Sequence, residues 1–475
     1  MGSGPADRAV VQRAGRTDLA ERRKVTAFTT ISALSQAYNA RSVSPVEIVT
    51  DLLQRAERLN SSLHAFVRLT PELALHEARL AEARQMAGRR VGPLDGVPIA
   101  HKDNFDTAGI VTTANSARYR ERTPVRDAAV VAAWSRAGCV TLGKTACYEA
   151  AFAGPDFDLP WAPPRNPWDP DRSTAGSSSG SAVALAAGLV LGASGSDTGG
   201  SLRDPAALCG VTGLKPGYGT VSVEGLLPFA PSLDVAGPMA RTARDAALLL
   251  GSVQGIDYRG TIDRPAAGLR IGVAPSWSEE AQISEAVRRV LDRAEDALRD
   301  DGAAITRVEL PPLADFRACG WTIALAELLA THSRALSDDG GDGFGPLLRR
   351  GLITAEAIPA YRYIAALHQR VALTRRMANA CSDIDVLLLP AQDAEADLIS
   401  AVKGELPFEK KTLTLPFCVT GVPAIVIPGG LGDAGLPVGV QLAACSDVGT
   451  MLRAACALER VLEGHLLMPP DLVSA

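Results

Sequence analysis

The sequence has no surplus of positive charge: 48 Lys and Arg stand against 53 Asp and Glu, a net charge of −5 over 475 residues. With no basic stripe to neutralise phosphates, neither nucleic acid nor an anionic membrane is an expected direct partner. An acidic tail is missing too. The eight cysteines, at 139, 147, 209, 319, 381, 418, 445 and 456, stand singly in apolar stretches. There is no CxxC pair and no Cys/His cluster at metal-ligand spacing, so the thiols read as buried and reduced and no metal is expected. Long hydrophobic runs are also absent. The longest, near residues 182–193, is full of Ala and Gly and is about half of the roughly 20 residues that span a bilayer. The first 25 residues are rich in Arg and Asp and lack an apolar run, so they read as a polar extension ahead of a folded unit over 26–470 and not as a secretory signal. These absences make a soluble, cytoplasmic protein the simplest expectation.

What is present is an ordinary globular mixture, 47% hydrophobic with 44 Gly and 31 Pro, able to bury a large core. Ser44 and Pro45 open a helix whose Ile48, Leu52, Leu53, Ala56 and Leu59 share one face. A second helix over 71–87 leads through Gly92 and Pro93 into a short apolar strand, 97–100, that ends at His101 and Lys102. A helix over 127–137, a strand at 140–142, a Pro- and Asp-rich loop over 154–172 and a small-residue helix over 180–191 follow. Farther on, apolar runs at 270–274, 384–389 and 424–427 alternate with helices near 280–299 and 447–463, while 337–343 reads as an exposed loop. Interleaving of this kind predicts an α/β sheet covered on both faces.

The densest chemical signal is AGSSSGSAVALAAGLVLGASGSDTGGSLRDPA, residues 175–206. Glycine and serine at this concentration leave backbone amides uncovered in two loops, with an apolar helix between them. Such loops either make tight turns or aim N–H groups at a developing negative charge. Two short motifs compete. GCVTLGKT at 138–145 satisfies the P-loop pattern, but a helix precedes it and the apparent strand lies inside it, so its amides would be tied up in pairing and not around a phosphate. GSSSG at 176–180 satisfies GxSxG and nominates Ser178 as the nucleophile of an α/β-hydrolase esterase. That alternative needs a loop histidine, whereas His332, His368 and His465 all fall in helices or helix ends, and no apolar strand precedes Gly176.

A third reading uses both loops. GSSSG followed by DTGGSLRxPA at 197–206 closely resembles the signature of the amidase-signature family, with Ser177 and Ser201 spaced 24 residues apart as that signature requires. GVPIAHKD at 96–103 resembles the family's lysine strand, GLKPGYG at 213–219 the segment after its nucleophile, and 416–442 its C-terminal strands. The likeness covers roughly 30–465, with two departures: Ala175 stands where the family usually has Gly, and Ser179 replaces a common second Gly.

The resemblance implies one large α/β domain with a central mixed, twisted sheet. It implies hydrolysis of a C–N amide bond, other than a peptide bond, to a carboxylate plus ammonia or an amine. Ser201 would be the nucleophile, Ser177 a proton relay of the kind often held in a cis peptide arrangement, and Lys102 the base. A serine hydroxyl needs a base within hydrogen-bond reach, and lysine, ordinarily near 10.4, serves only if burial disfavours its charge. The N–H groups of Thr198, Gly199, Gly200 and Ser201 would receive the oxyanion, each worth about 3 to 4 kcal/mol. Ser178, Asp197 and Arg203 would shape the loop, with Arg203 also open to binding a substrate carboxylate. No cofactor is implied, the partner is a small-molecule amide, and a homodimer is the default assembly for a soluble enzyme of this size.

Two other roles share the signature: the glutaminase-type A subunit of a tRNA-dependent amidotransferase, and a noncatalytic binding protein on the same fold. Retention of Lys102, Ser177 and Ser201 together argues against the second. Pocket walls are expected from 154–164, 319–345 and 400–415, with Phe152, Phe157 and Trp161 hinting at an aryl or apolar acyl group.

Overall fold

In the computed structural model, which describes residues 28–409 and 412–472, eleven strands join into one sheet. They are β1 (Phe66–Leu69), β2 (Pro98–Lys102), β3 (Val140–Thr145), β4 (Gly192–Asp197), β5 (Thr212–Lys215), β6 (Val235–Ala240), β7 (Arg270–Val273), β8 (Ala304–Arg307), β9 (Val386–Pro390), β10 (Ala424–Leu431) and β11 (Pro437–Ala444). Their order across the sheet is β1-β3-β2-β4-β6-β5-β10-β11-β9-β7-β8. β2 runs parallel to β3 and β4, and β7 to β8 and β9, while the remaining neighbours are antiparallel, so the sheet is mixed. The polar extension expected over residues 1–25 lies outside the described residues.

Helices cover both faces of this single α/β domain. β2, β3, β4, β6, β9 and β11 are therefore buried along their whole length, and their sequences show no in–out alternation. The edge strands β1 and β8 keep exposed residues. No helix among the described residues is long and apolar enough to cross a membrane.

The sequence reading lacked β1, β4, β5, β6 and β8, and β4 shows why. Its GASGSD has little strand propensity, yet it lies between β2 and β6 where small residues are compulsory. A Cβ at Gly192 would come within 2.9 Å of Leu249 Cδ1, and one at Gly195 would lie 3.1 Å from Ser178 Oγ. Close packing, not propensity, selects the sequence of this strand.

The helices follow local signals more faithfully. In α1 (Pro45–Leu63) the Ser44 hydroxyl and Glu47 form a capping box, and Ile48, Leu52 and Ala56 face the core. In α2 (Ser179–Ala186) every residue is buried. The helix expected over 180–191 stops early because Gly188 turns left-handed at φ +64° and releases the chain into β4. α3 (Arg203–Cys209) packs on α2. The helix expected over 280–299 is two: Pro275–Ala281, then Glu285–Asp300 behind a Ser284 cap, with Gln282 at φ +55° between them. α4 (Leu313–Asp339) runs into the segment expected as loop from 337, and ends where Gly340 and Gly341 adopt positive φ.

Candidate active site

Because β2 is interior to the sheet, its last residue, Lys102, is delivered into the core with no solvent exposure. Its ε-amine donates to Ser177 Oγ at 2.7 Å and to Ser196 Oγ at 2.8 Å. The two carboxylates nearest in sequence do not pair with it. Asp103 faces Lys144 at 3.8 Å and accepts from Thr113 N–H, while Asp106 is held by Arg122 at 2.7 Å. A surface salt bridge is thus ruled out for Lys102. Burial pushes the amine down to about 8, against the weaker opposing pull of Cys147, Asp197 and Asp234.

Ser177 lies in the turn before α2, and the Gly176–Ser177 peptide is cis. Gly176 is tight against the ring of Tyr148: a Cβ there would sit 2.5 Å from its Cδ2. Tyr148 N–H in turn donates to the Ser177 carbonyl at 3.2 Å. Next along, Ser178 N–H donates to the Ser201 carbonyl at 2.9 Å, which joins the two signature loops. Its hydroxyl is fully buried, donates to the Ser196 carbonyl and accepts from Ser196 N–H, both at 3.3 Å. Ser178 is therefore a tie between loops, and the elbow reading fails on geometry. Its needed base is also missing, since His332 lies within α4 against Phe344, His368 lies in the helix Ala360–Ala380 and His465 in a short turn after the last long helix.

The second loop hangs on a buried ion pair. Asp197, at the end of β4, meets Arg203, in the first turn of α3, at 2.9 Å. Asp197 also accepts from Gly200 N–H at 2.8 Å and from the Cys418 thiol at 3.1 Å. Burial would raise this carboxyl, but the Arg203 guanidinium outweighs it and holds the group at about 2. Arg203 spends its remaining donors on Gln441 Oε1 at 2.7 Å and Cys418 Sγ at 3.2 Å and has no exposure, so it cannot reach a substrate carboxylate.

Of the four amides expected to receive an oxyanion, that of Gly200 is already committed to Asp197. The N–H groups of Gly199 and Ser201 meet no acceptor among the described residues. Thr198 directs its hydroxyl to Asp234 at 2.6 Å. Gly200 is irreplaceable by size and by conformation: its φ is +130°, and a Cβ would press on Thr414 and lie 2.8 Å from Asp204 Oδ1.

Ser201 opens onto a cavity of about 70 Å³ walled by Tyr148, Phe152, Gly176, Phe229 and Trp321. Gly154, Trp321, Pro407 and Thr412 come from the three segments expected to build the walls. Phe152 is a wall, whereas Phe157 sits under the guanidinium of Arg165, 5.4 Å from the ring centre. Tyr148, Phe229 and Trp321 were missed, because nothing local distinguishes a pocket aromatic from a core one.

A family model described as Amidase matches residues 47–447. The chain belongs to the amidase-signature family. The glutamyl-tRNA(Gln) amidotransferase A subunit of Chloroflexus aurantiacus is 36% identical over 479 residues, covering 93% of this chain and 98% of the relative. Among solved structures, native peptide amidase from Stenotrophomonas maltophilia superposes with a TM-score of 0.80 at 28% identity, covering 93% of this chain and 98% of the other. A protein from a vestigial complex that reveals the evolutionary origins of an s-triazine catabolic enzyme gives 0.84 at 30%, covering 91% and 98%. The expectation of no direct nucleic-acid partner, drawn from net charge alone, fits poorly with a relative named for glutamyl-tRNA(Gln).

This amidase-signature chain accommodates its two departures differently. Ala175 occupies the left-handed region at φ +53°, where glycine would be unstrained. Ser179 opens α2 with a buried hydroxyl that finds no partner among the described residues. The P-loop lookalike is structural: β3 runs through it, and Lys144 is fully buried, donating to Phe105 O, to Thr107 Oγ1 at 3.0 Å and to Thr112 Oγ1 at 2.9 Å. No phosphate can reach that amine.

Proposed function

We propose that this amidase-signature chain is a stand-alone amidase that hydrolyses a small apolar or aryl carboxamide by acyl transfer. Ser201 Oγ attacks the carbonyl carbon while its proton passes through Ser177 Oγ to the neutral Lys102 amine. The C–N bond breaks as that proton returns to the leaving nitrogen, and water then cleaves the acyl–Ser201 ester to a carboxylate. The N–H groups of Gly199, Ser201 and Thr198 face the developing oxyanion, each contributing about 3 to 4 kcal/mol. The observation that carries the proposal is the 2.7 Å contact between the Lys102 amine and Ser177 Oγ, both buried, with no carboxylate in ion-pair contact with that amine among the described residues. A cavity of about 70 Å³ with aromatic walls supports the small acyl group, since sites for drug-sized ligands run to roughly 300–1,000 Å³.

A glutaminase component of an amidotransferase is the second reading, favoured by the name of the Chloroflexus relative. It requires a cation for the α-carboxylate of glutamine, and the described cavity residues include Asp204 but no Lys or Arg. Ammonia release from benzamide and from glutamine separates the two readings. Benzamide turnover with loss in Ser201→Ala, together with loss of fluorophosphonate labelling, is the expected result. Wild-type rates in Ser201→Ala would refute the assignment, and turnover of glutamine alone would transfer it to the second reading.

A further inference from the structure

Hydrogen-bond donors in a protein interior are almost always paired. Three of the side chains lining the Ser201 cavity break that rule. Trp321 Nε1, Thr412 Oγ1 and the Tyr148 hydroxyl are all shielded from solvent, and none has a hydrogen-bond partner among the described residues. Trp321 sits on α4 with its ring edge-on to Phe408, centroids 6.4 Å apart. The opposite contact of the indole is the signature loop itself: the place a side chain at Gly199 would take lies 3.3 Å from Cη2 and 3.5 Å from Cζ2. The benzo edge of the indole therefore packs against the loop beside Ser201, and Nε1 lies two bonds from its Cζ2.

The rest of the wall is mostly aromatic or small, with Phe152 packed edge-on to Phe229, 5.4 Å between centroids, and Asp204 its one charged member. A largely apolar pocket with a few unpaired donors is a pocket that reads a specific acceptor. Resting on the function proposed above, we infer that Trp321 Nε1–H, with Thr412 Oγ1, determines specificity by donating to a neutral acceptor on the acyl side of the substrate. The substrate class is a small planar carboxamide bearing a ring nitrogen, ether or second carbonyl beyond the scissile one. The amide C=O itself stays with the Gly199 and Ser201 amides, so the two recognitions do not compete. A carbocyclic acyl group of the same shape enters the pocket but leaves both donors unpaired, which lowers its kcat/KM by on the order of tenfold.

The test measures kcat/KM for benzamide and the three pyridinecarboxamides, whose ring nitrogens scan the cavity, in wild type, Trp321→Phe and Thr412→Val. Taking the pyridine-to-benzamide ratio within each protein cancels intrinsic reactivity. At least one isomer should show a wild-type ratio that falls about tenfold in Trp321→Phe and by a smaller factor in Thr412→Val. A structural role for the indole would lower all four amides together and leave every ratio unmoved, which overturns the inference. Should Trp321→Phe not fold, the ratio in Thr412→Val decides by the same criterion. If wild type turns over none of the four amides, the proposed function falls and this inference with it; turnover with unmoved ratios overturns the inference alone.

Discussion

Titrating the reaction between pH 6 and 10 tests the role proposed for Lys102. An amine at its ordinary 10.5 is neutral in about 0.03% of molecules at pH 7, whereas one brought to about 8 by burial is neutral in about 10%, a gain of roughly 300-fold in the reactive form. kcat/KM for benzamide, followed by ammonia release, should therefore rise about tenfold per pH unit up to about 8 and then level. Lys102→Met keeps the apolar bulk and removes the amine, so it should lower kcat/KM by about 10²–10⁴ and flatten the profile.

The same shift has a thermodynamic signature. The folded-state value lies below the unfolded one, so between about pH 8 and 10.5 the unfolded chain binds the extra proton and stability rises with pH. That contribution, about 3 kcal/mol, is lost as pH falls through 8. Lys102→Met escapes the penalty and should melt no lower than wild type at pH 7. A profile that inflects only above pH 10, or one that keeps its shape in Lys102→Met, would refute the reasoning.

Asp197→Asn leaves the fully buried Arg203 without its counter-charge and should cost about 3–5 kcal/mol in chemical denaturation; a loss under about 1 kcal/mol would show the pair to be dispensable. The P-loop lookalike makes the opposite kind of prediction: millimolar ATP should leave the thermal midpoint of wild type and of Lys144→Met unmoved, because the Lys144 amine is enclosed by Phe105, Thr107 and Thr112. An ATP-dependent rise in wild type would restore phosphate binding.

The amino-acid sequence by itself determined the family and the local pieces. The 24-residue spacing of Ser177 and Ser201 and the GVPIAHK strand are contiguous signals, and so is the capping box that opens α1. Helix ends were less legible, since a single left-handed residue such as Gly188 or Gln282 overrides a periodic apolar pattern.

Only the tertiary structure decided the rest. Whether Lys102 is a solvated cation or a depressed amine depends on what surrounds the end of β2, and those neighbours, Ser177 and Ser196, lie 75 and 94 residues away. That Ser178 ties the two signature loops and that Trp321 from α4 walls the cavity are likewise facts of contact between separate segments. Local sequence governs backbone conformation through short-range sterics, but desolvation and hydrogen-bond pairing are properties of an enclosure, which exists only once the sheet has brought its strands together.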